Sequence, residues 1–362
     1  MEDRDPTLLP GQRPRGRGAL SNAVGRFEPL SREGVDDGWD IPEEPRVVRT
    51  EVRTEVPRTA LTWNRSPDLP FDRSVNPYRG CEHGCIYCYA RPTHAFLNLS
   101  PGLDFETRLI ARPGIAEVLA RELRRPGYAP ASIALGTNTD PYQPIDAELG
   151  LTRQLLAVMR DFRHPVHVTT RGTGILRDLD ILADLAAEGL AAVAVSVTTL
   201  DAGLARRMEP RAPAPARRLQ VVADLARAGV PVMVNFSPVI PALTDHELES
   251  VAEAAARAGA WRFSSLPLRL PQEVAGLFRA WAEATVPDRA ARILGRVRAM
   301  HGGRDYDPAF GTRMTGQGVW AELHARRKAV VRARLGLDRP HPALRCDLFR
   351  APPRPGDQLP LF

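Results

Sequence analysis

Cys81, Cys85 and Cys88 fall within eight residues, spaced C-x3-C-x2-C in the segment NPYRGCEHGCIYCYAR that runs from Asn76 to Arg91. Three thiolates this close wrap three corners of an iron–sulfur cubane and leave its fourth iron without a protein ligand. A small molecule can then bind that iron directly. Gly80 and Gly84 supply the backbone freedom that a tight cluster loop needs. A structural zinc site is the alternative. It takes four ligands, commonly from paired C-x2-C units. Here it would have to recruit His83, His94 or the distant Cys346. A simple electron-transfer iron–sulfur centre would likewise need a fourth cysteine.

The rest of the composition narrows the class. Four cysteines in 362 residues do not make a disulfide scaffold, and their clustering in a reducing compartment points to metal. The net charge is +6, nearly all of it arginine, since Lys328 is the only lysine. Arginine suits phosphate contact through its bidentate fork, yet this charge spread over this length decides little. No apolar run reaches membrane length. Leu182–Val197 comes nearest and is interrupted by Asp184 and Glu188. The acidic start, Met1 to Leu9, carries no signal-peptide pattern. A cytoplasmic protein without a membrane partner is expected.

The elements that must position the cysteines are legible from about residue 72. Apolar, β-branched runs at 73–78, 132–135, 166–170, 191–197, 231–236 and 261–268 alternate with helical patterns at 151–162, 176–188, 216–228 and 245–258. Gly189, Gly229 and Gly259 sit where helix C-caps belong, and Thr244 with Glu247 reads as a capping box. Such βαβ units predict a parallel sheet, best as a partial or full (β/α)6 barrel, with a doubly wound open sheet as the alternative. In both, function gathers at the carboxyl ends of the strands. The polar residues there are Gly136 to Asp140, Thr169 to Arg171, Ser196 to Thr198, Asn235 and Ser237. Asp140 reads equally as a general base and as the cap of an Asp-Pro turn. The division expected is a disordered arm over 1–60, in which GQRPRGRG (11–18) is basic enough to touch nucleic acid, a core over 61–271, and a helical extension with a Pro-rich tail over 272–362. Arg206, Arg207, Arg211, Arg217 and Arg218 form a basic run around Glu209 that reads as a solvated helix start, with phosphate binding as the alternative.

The cysteine spacing, with the aromatic Tyr87 just before the third cysteine, resembles the radical SAM superfamily. The stretch from Asn76 through His94, together with GTNTDPYQPID (136–146), is similar to its spore photoproduct lyase-like, DNA-repair-photolyase-related branch over roughly residues 65–270. The resemblance implies a [4Fe–4S] cluster on Cys81, Cys85 and Cys88. It implies S-adenosylmethionine chelated to the free iron through amino and carboxylate groups, and reductive cleavage to a 5′-deoxyadenosyl radical that abstracts hydrogen from substrate. Tyr87 would pack near the adenine. Thr137, Asn138 and Thr139 would meet the methionyl amino group, Arg171 the carboxylate, and Ser196 and Thr198 the ribose and carboxylate. An external flavodoxin- or ferredoxin-like protein would donate the electron, and nucleic acid is a candidate substrate. Two features depart from the family. Thr-Asn-Thr replaces its glycine-glycine-glutamate motif, and no cysteine lies between Cys88 and Cys346; Cys346 reads as an ordinary free thiol and could replace the family's hydrogen donor only if the tail folds back over the barrel mouth. The reading of another class is a zinc- or iron–sulfur-containing nucleic-acid-binding protein without radical catalysis.

Overall fold

The computed structural model describes residues 14, 16–27 and 48–353. Its strands are β1 (Glu51–Thr54), β2 (Leu61–Trp63), β3 (Arg73–Val75), β4 (Tyr78–Arg79), β5 (Arg108–Ala111), β6 (Ile133–Leu135), β7 (Val166–Thr170), β8 (Ala191–Ser196), β9 (Val232–Val239) and β10 (Arg262–Pro267). Seven of them form one sheet in the order β10-β9-β8-β7-β6-β3-β2. Its strands run parallel from β3 to β10, and only β2 is antiparallel, along β3. This is the expected partial barrel, with β10 and β2 at its two open edges. Helices at Leu151–Asp161, Leu179–Ala187, Pro215–Arg227 and Leu248–Arg257 connect successive parallel strands. Gly189, Gly229 and Gly259 follow three of them at φ of 73°, 78° and 84°, the left-handed conformation that glycine adopts without strain.

The main core lies between sheet and helices. Val166, Val168, Val193, Val195, Val234 and Phe236 meet Leu155, Leu182, Leu185, Val222 and Val251 there. All six residues of β8 are buried, whereas β7 and β9 alternate buried with half-buried positions. Half-buried His167, Thr169, Asn235 and Ser237 alternate with those core residues, so they face the barrel interior. A second core joins the helices Glu273–Thr285 and Pro287–Met300 to the cysteine loop, through Phe278, Trp281 and Ile293 against Ile86, Tyr87 and Met208. The helical extension, which ends in Gly318–Leu335, thus supports the loop from behind.

Four expectations need correction. First, Tyr78 is not part of the first barrel strand. It belongs to a three-stranded sheet of order β1-β5-β4, because its backbone pairs with Ala111. Second, residues 16–27 and 48–60 pack against the rest of the chain. β1 pairs with β5, and residues 17–23 bond to residues 100–106. Third, Arg17 is buried by those contacts and does not face solvent as part of a basic tail; residues 11–13 and 15 of that tail, like 1–10, lie outside the described residues. Fourth, no capping box forms. Thr244 Oγ1 accepts from Ile240 N at 2.9 Å, and Glu247 reaches Thr199 Oγ1 and Leu200 N, both at 2.6 Å. A long-range bond to the end of β8 replaces the local one.

Two buried histidines make stability depend on pH. Burial lowers the His164 and His324 imidazoles to about 4, with nearby Arg73 adding to the fall at His164, and Lys328 and Arg327 at His324. The unfolded chain protonates such rings near pH 6.5. Their contribution is therefore complete above pH 6.5 and is lost as pH falls toward 4, by about 3 kcal/mol per ring. Denaturant unfolding at pH 7.5 and 4.5 should show this loss. His324→Gln should show a smaller one, and an unchanged difference would contradict the assignment.

Candidate active site at the barrel mouth

The cysteine loop follows β4. Gly80 and Gly84 hold φ of 78° and 67°. A Cβ on Gly80 would stand 2.9 Å from Phe105 O, and one on Gly84 would stand 2.6 Å from Glu106 Oε2. No other residue fits either turn. The loop lacks a ladder of its own, so distant groups satisfy its backbone. Cys81 N donates to Phe105 O at 2.8 Å and Ile86 N to Met208 O at 3.0 Å. Gln143 both donates to Gly80 O at 3.2 Å and accepts from Glu82 N at 2.9 Å. Arg91 Nε donates to Cys85 O at 2.9 Å. Arg91 is fully buried and ion-paired to the fully buried Glu106.

Cys81 and Cys85 are buried and Cys88 is half-buried. Burial pushes the Cys81 thiol up, helped by the negative charge of Asp140, and pushes the Cys85 thiol up against the pull of Arg171. Such thiols ionise only when a nearby cation compensates for the lost water. Among the described residues, no group of three or more His, Cys, Asp or Glu stands close enough to hold a metal ion. Each histidine that a zinc site would recruit has one ring nitrogen beside another group. His83 Nδ1 lies 3.3 Å from Asp140 Oδ2, and His94 Nε2 lies 3.0 Å from Arg108 O.

The strand ends meet this loop. Gly136 takes φ 86° where a Cβ would stand 1.9 Å from Thr169 O, which brings β6 against β7. Beyond it, Asn138 N donates to Asn76 Oδ1 at 3.1 Å, Thr139 Oγ1 to Tyr78 O at 3.2 Å, and the Tyr89 hydroxyl to Thr137 O. Asp140 accepts from Tyr142 N at 2.9 Å, Thr170 Oγ1 at 2.6 Å and Arg171 N at 2.8 Å. Burial raises its carboxyl, but the charge of His83 and these hydrogen bonds outweigh that and bring it down to about 2. Its first bond is the turn of an Asp-Pro cap, and the other two tie β6 to β7. Asp140 is a positioning group with its oxygens engaged.

The centre of the mouth is Glu209, which sequence reading placed in a solvated basic run. It is almost fully buried. It accepts from Arg171 Nη1 at 2.7 Å, from Thr198 Oγ1 at 2.8 Å, and from Tyr87 and Arg218. Arg218 is as buried as Glu209 and also donates to Ser196 O at 3.2 Å. Arg211 ion-pairs Glu82 at 3.1 Å, and of the run Arg206, Arg207 and Arg217 face solvent. Tyr87, Arg171 and Thr198 thus converge on one carboxylate, with Ser196 linked through its carbonyl. Nothing in residue types or spacing marked Glu209, Arg218, Arg91 or Glu106, because each acquires its partner only through the fold.

Cys346 does not join them. The tail folds back over the opposite end of the sheet. There Arg345 N donates to Gly189 O at 3.0 Å, ahead of β8, and Phe349 packs on Tyr128 and Phe162. A hydrogen donor at the mouth cannot be Cys346 in this arrangement.

Comparison with known proteins decides the family. The sequence model of the Radical SAM superfamily matches residues 75–255, half of the chain. The chain belongs to the radical SAM superfamily of enzymes. Its superfamily stretch holds the cysteine loop, four of the six parallel strands (β6 to β9) and Glu209. The chain is 38% identical over 226 residues to uncharacterized protein Rv2578c of Mycobacterium tuberculosis, covering 62% of this chain and 66% of that relative. It thus spans just under two thirds of that relative's length. It is 23% identical over 214 residues to uncharacterized protein MJ0683 of Methanocaldococcus jannaschii, covering 59% and 76%. A substituted spore photoproduct lyase solved with bound AdoMet and dinucleoside spore photoproduct shares the fold at a TM-score of 0.56, with 14% identity, over 78% of this chain and 79% of that one. No helix among the described residues is long and apolar enough to cross a membrane.

Glu209→Ala leaves the buried Arg218 and the half-buried Arg171 without their counter-charge. The expected loss is about 3–5 kcal/mol of unfolding free energy, read by urea denaturation, with Glu209→Gln between the variant and the parent. A loss under about 1 kcal/mol would show that the carboxylate does not hold the mouth together.

Proposed function

We propose that Cys81, Cys85 and Cys88 ligate three irons of a [4Fe–4S] cluster and that S-adenosylmethionine binds beside it at the barrel mouth. The observation that carries this reading is three thiols on one loop at the carboxyl ends of the parallel strands, with the fourth cysteine docked at the far end. The donor chemistry fits, since buried thiols with raised pKa values release their protons when they ligate iron. When bound, the cluster supplies the electron that splits S-adenosylmethionine into methionine and a hydrogen-abstracting 5′-deoxyadenosyl radical.

The chain itself binds, orients and shields. Glu209 fixes Arg171 at the mouth, where the guanidinium would meet the methionyl carboxylate. Thr137, Asn138 and Thr139 would face the amino group, and Ser196 and Thr198 the ribose and carboxylate. Tyr87 would pack beside the adenine, its ring fixed because its hydroxyl is held by Glu209 and by Arg171 Nη1. An external flavodoxin- or ferredoxin-like protein delivers the electron. On the substrate side, Tyr89 spans the mouth from Thr137 to Arg269, whose guanidinium lies 5.2 Å from the Tyr89 ring centroid. A half-exposed aromatic beneath a cation suits a flat, anionic substrate such as a nucleotide within nucleic acid.

Anoxically reconstituted protein should bind about four irons and, with dithionite, convert S-adenosylmethionine to 5′-deoxyadenosine. Replacement of Cys81, Cys85 or Cys88 by Ala should abolish this, and Cys346→Ala should retain it. A triple Cys81/Cys85/Cys88→Ala protein that still forms 5′-deoxyadenosine would refute the ligand assignment. Tyr89→Ala should leave dithionite-driven cleavage intact and weaken nucleic-acid binding by about tenfold, as loss of a stacked base does. Unchanged binding would remove Tyr89 from the substrate surface.

A further inference from the structure

We infer that Arg17, Gly18 and Ala19, outside the stretch matched by the superfamily model, form a strap that positions the cysteine loop and seals it from solvent; its importance rests on the role proposed above for that loop. Gly18 lies directly against Gly84, between Cys81 and Cys85. A Cβ on Gly18 would stand 1.8 Å from Gly84 O, so only glycine fits. The two backbones are locked by Glu106. Its carboxylate accepts from Gly18 N at 2.9 Å and Ala19 N at 2.8 Å while it pairs with Arg91.

Arg91 in turn holds Cys85 O at 2.9 Å, so the strap acts on Cys85 through two buried side chains. Arg17 donates to Glu106 O at 2.9 Å, Val48 O at 2.7 Å and Thr50 Oγ1 at 3.1 Å, and Thr50 donates to Glu82 Oε1 at 2.7 Å. Ala19 is fully buried in the apolar cluster that contains Cys85, Ile86 and Tyr87. The strap therefore reaches the loop at Glu82, Gly84 and Cys85. Without it a buried carboxylate loses two amide donors and one wall of the loop opens.

The test reads thiol exposure and needs neither cluster nor S-adenosylmethionine, so its outcome is separate from that of the proposed reaction. Full-length, iron-free, reduced protein is treated with iodoacetamide, and the alkylation rate of each cysteine is followed by peptide mass spectrometry. Gly18→Ala should speed modification of Cys85 and Cys88 by about tenfold or more, as local opening does. Cys346, at the far end, should change by less than about twofold. Gly25→Ala is the control, because a Cβ there would meet Ala95 Cβ at an ordinary 3.5 Å, and it should alkylate like the parent. Arg17→Ala carries the same comparison should Gly18→Ala not yield folded protein. Parent-like rates at Cys85 and Cys88, or a rise shared equally by Cys346, would overturn the strap.

Discussion

A loop that presents three thiols at the mouth of a barrel cannot satisfy its own backbone. Within residues 80–88 the turns close only two hydrogen bonds, from Gly84 N to Cys81 O and from Cys88 N to Cys85 O. Every other buried polar group on the loop must find a partner elsewhere or carry a desolvation cost. That requirement explains the surrounding architecture. Phe105 and Met208 offer carbonyls, Gln143 offers both ends of its amide, and Arg91 comes back from just beyond the loop to hold Cys85. The loop is held by contacts spread over more than a hundred residues of chain, and they fix where its sulfurs stand.

Charge follows the same logic. Two buried carboxylates, Glu106 and Glu209, sit on the two sides of the loop, each paired with buried arginine. A buried pair of this kind adds little net stability over an apolar pair, but breaking one is costly. Its value here is geometric. Glu106 orders Arg91 and the N-terminal strap, while Glu209 draws Arg171, Arg218, Tyr87 and Thr198 from four different segments to one point. The mouth is therefore pre-organised before any ligand arrives, which lowers the ordering cost of binding.

The parallel strands were legible because alternation of apolar runs and helical patterns is a local signal, and the observed strands 133–135, 166–170 and 191–196 fall on those runs. The cysteine loop was legible because its chemistry depends on spacing alone. What escaped was non-local. Gly18 and Glu106 are 88 residues apart, and a glycine-arginine stretch has the composition of a solvated tail until its partner is in place. Glu209 and Arg218 look like a charged helix start for the same reason. The capping box failed because Glu247 had a better partner at the end of β8. The position of Cys346 was not legible, because a Pro-rich tail carries no periodicity that says which face it covers.

The central claim is that the three cysteines leave one iron free for S-adenosylmethionine. Electron–nuclear double resonance tests it most directly, on the anoxically reduced protein mixed with S-adenosylmethionine labelled with 15N in the amino group and 17O in the carboxylate. Direct hyperfine coupling of both labels to the reduced cluster is the predicted result. A reduced cluster that couples to neither label, with all of its irons ligated by the protein, would contradict the account.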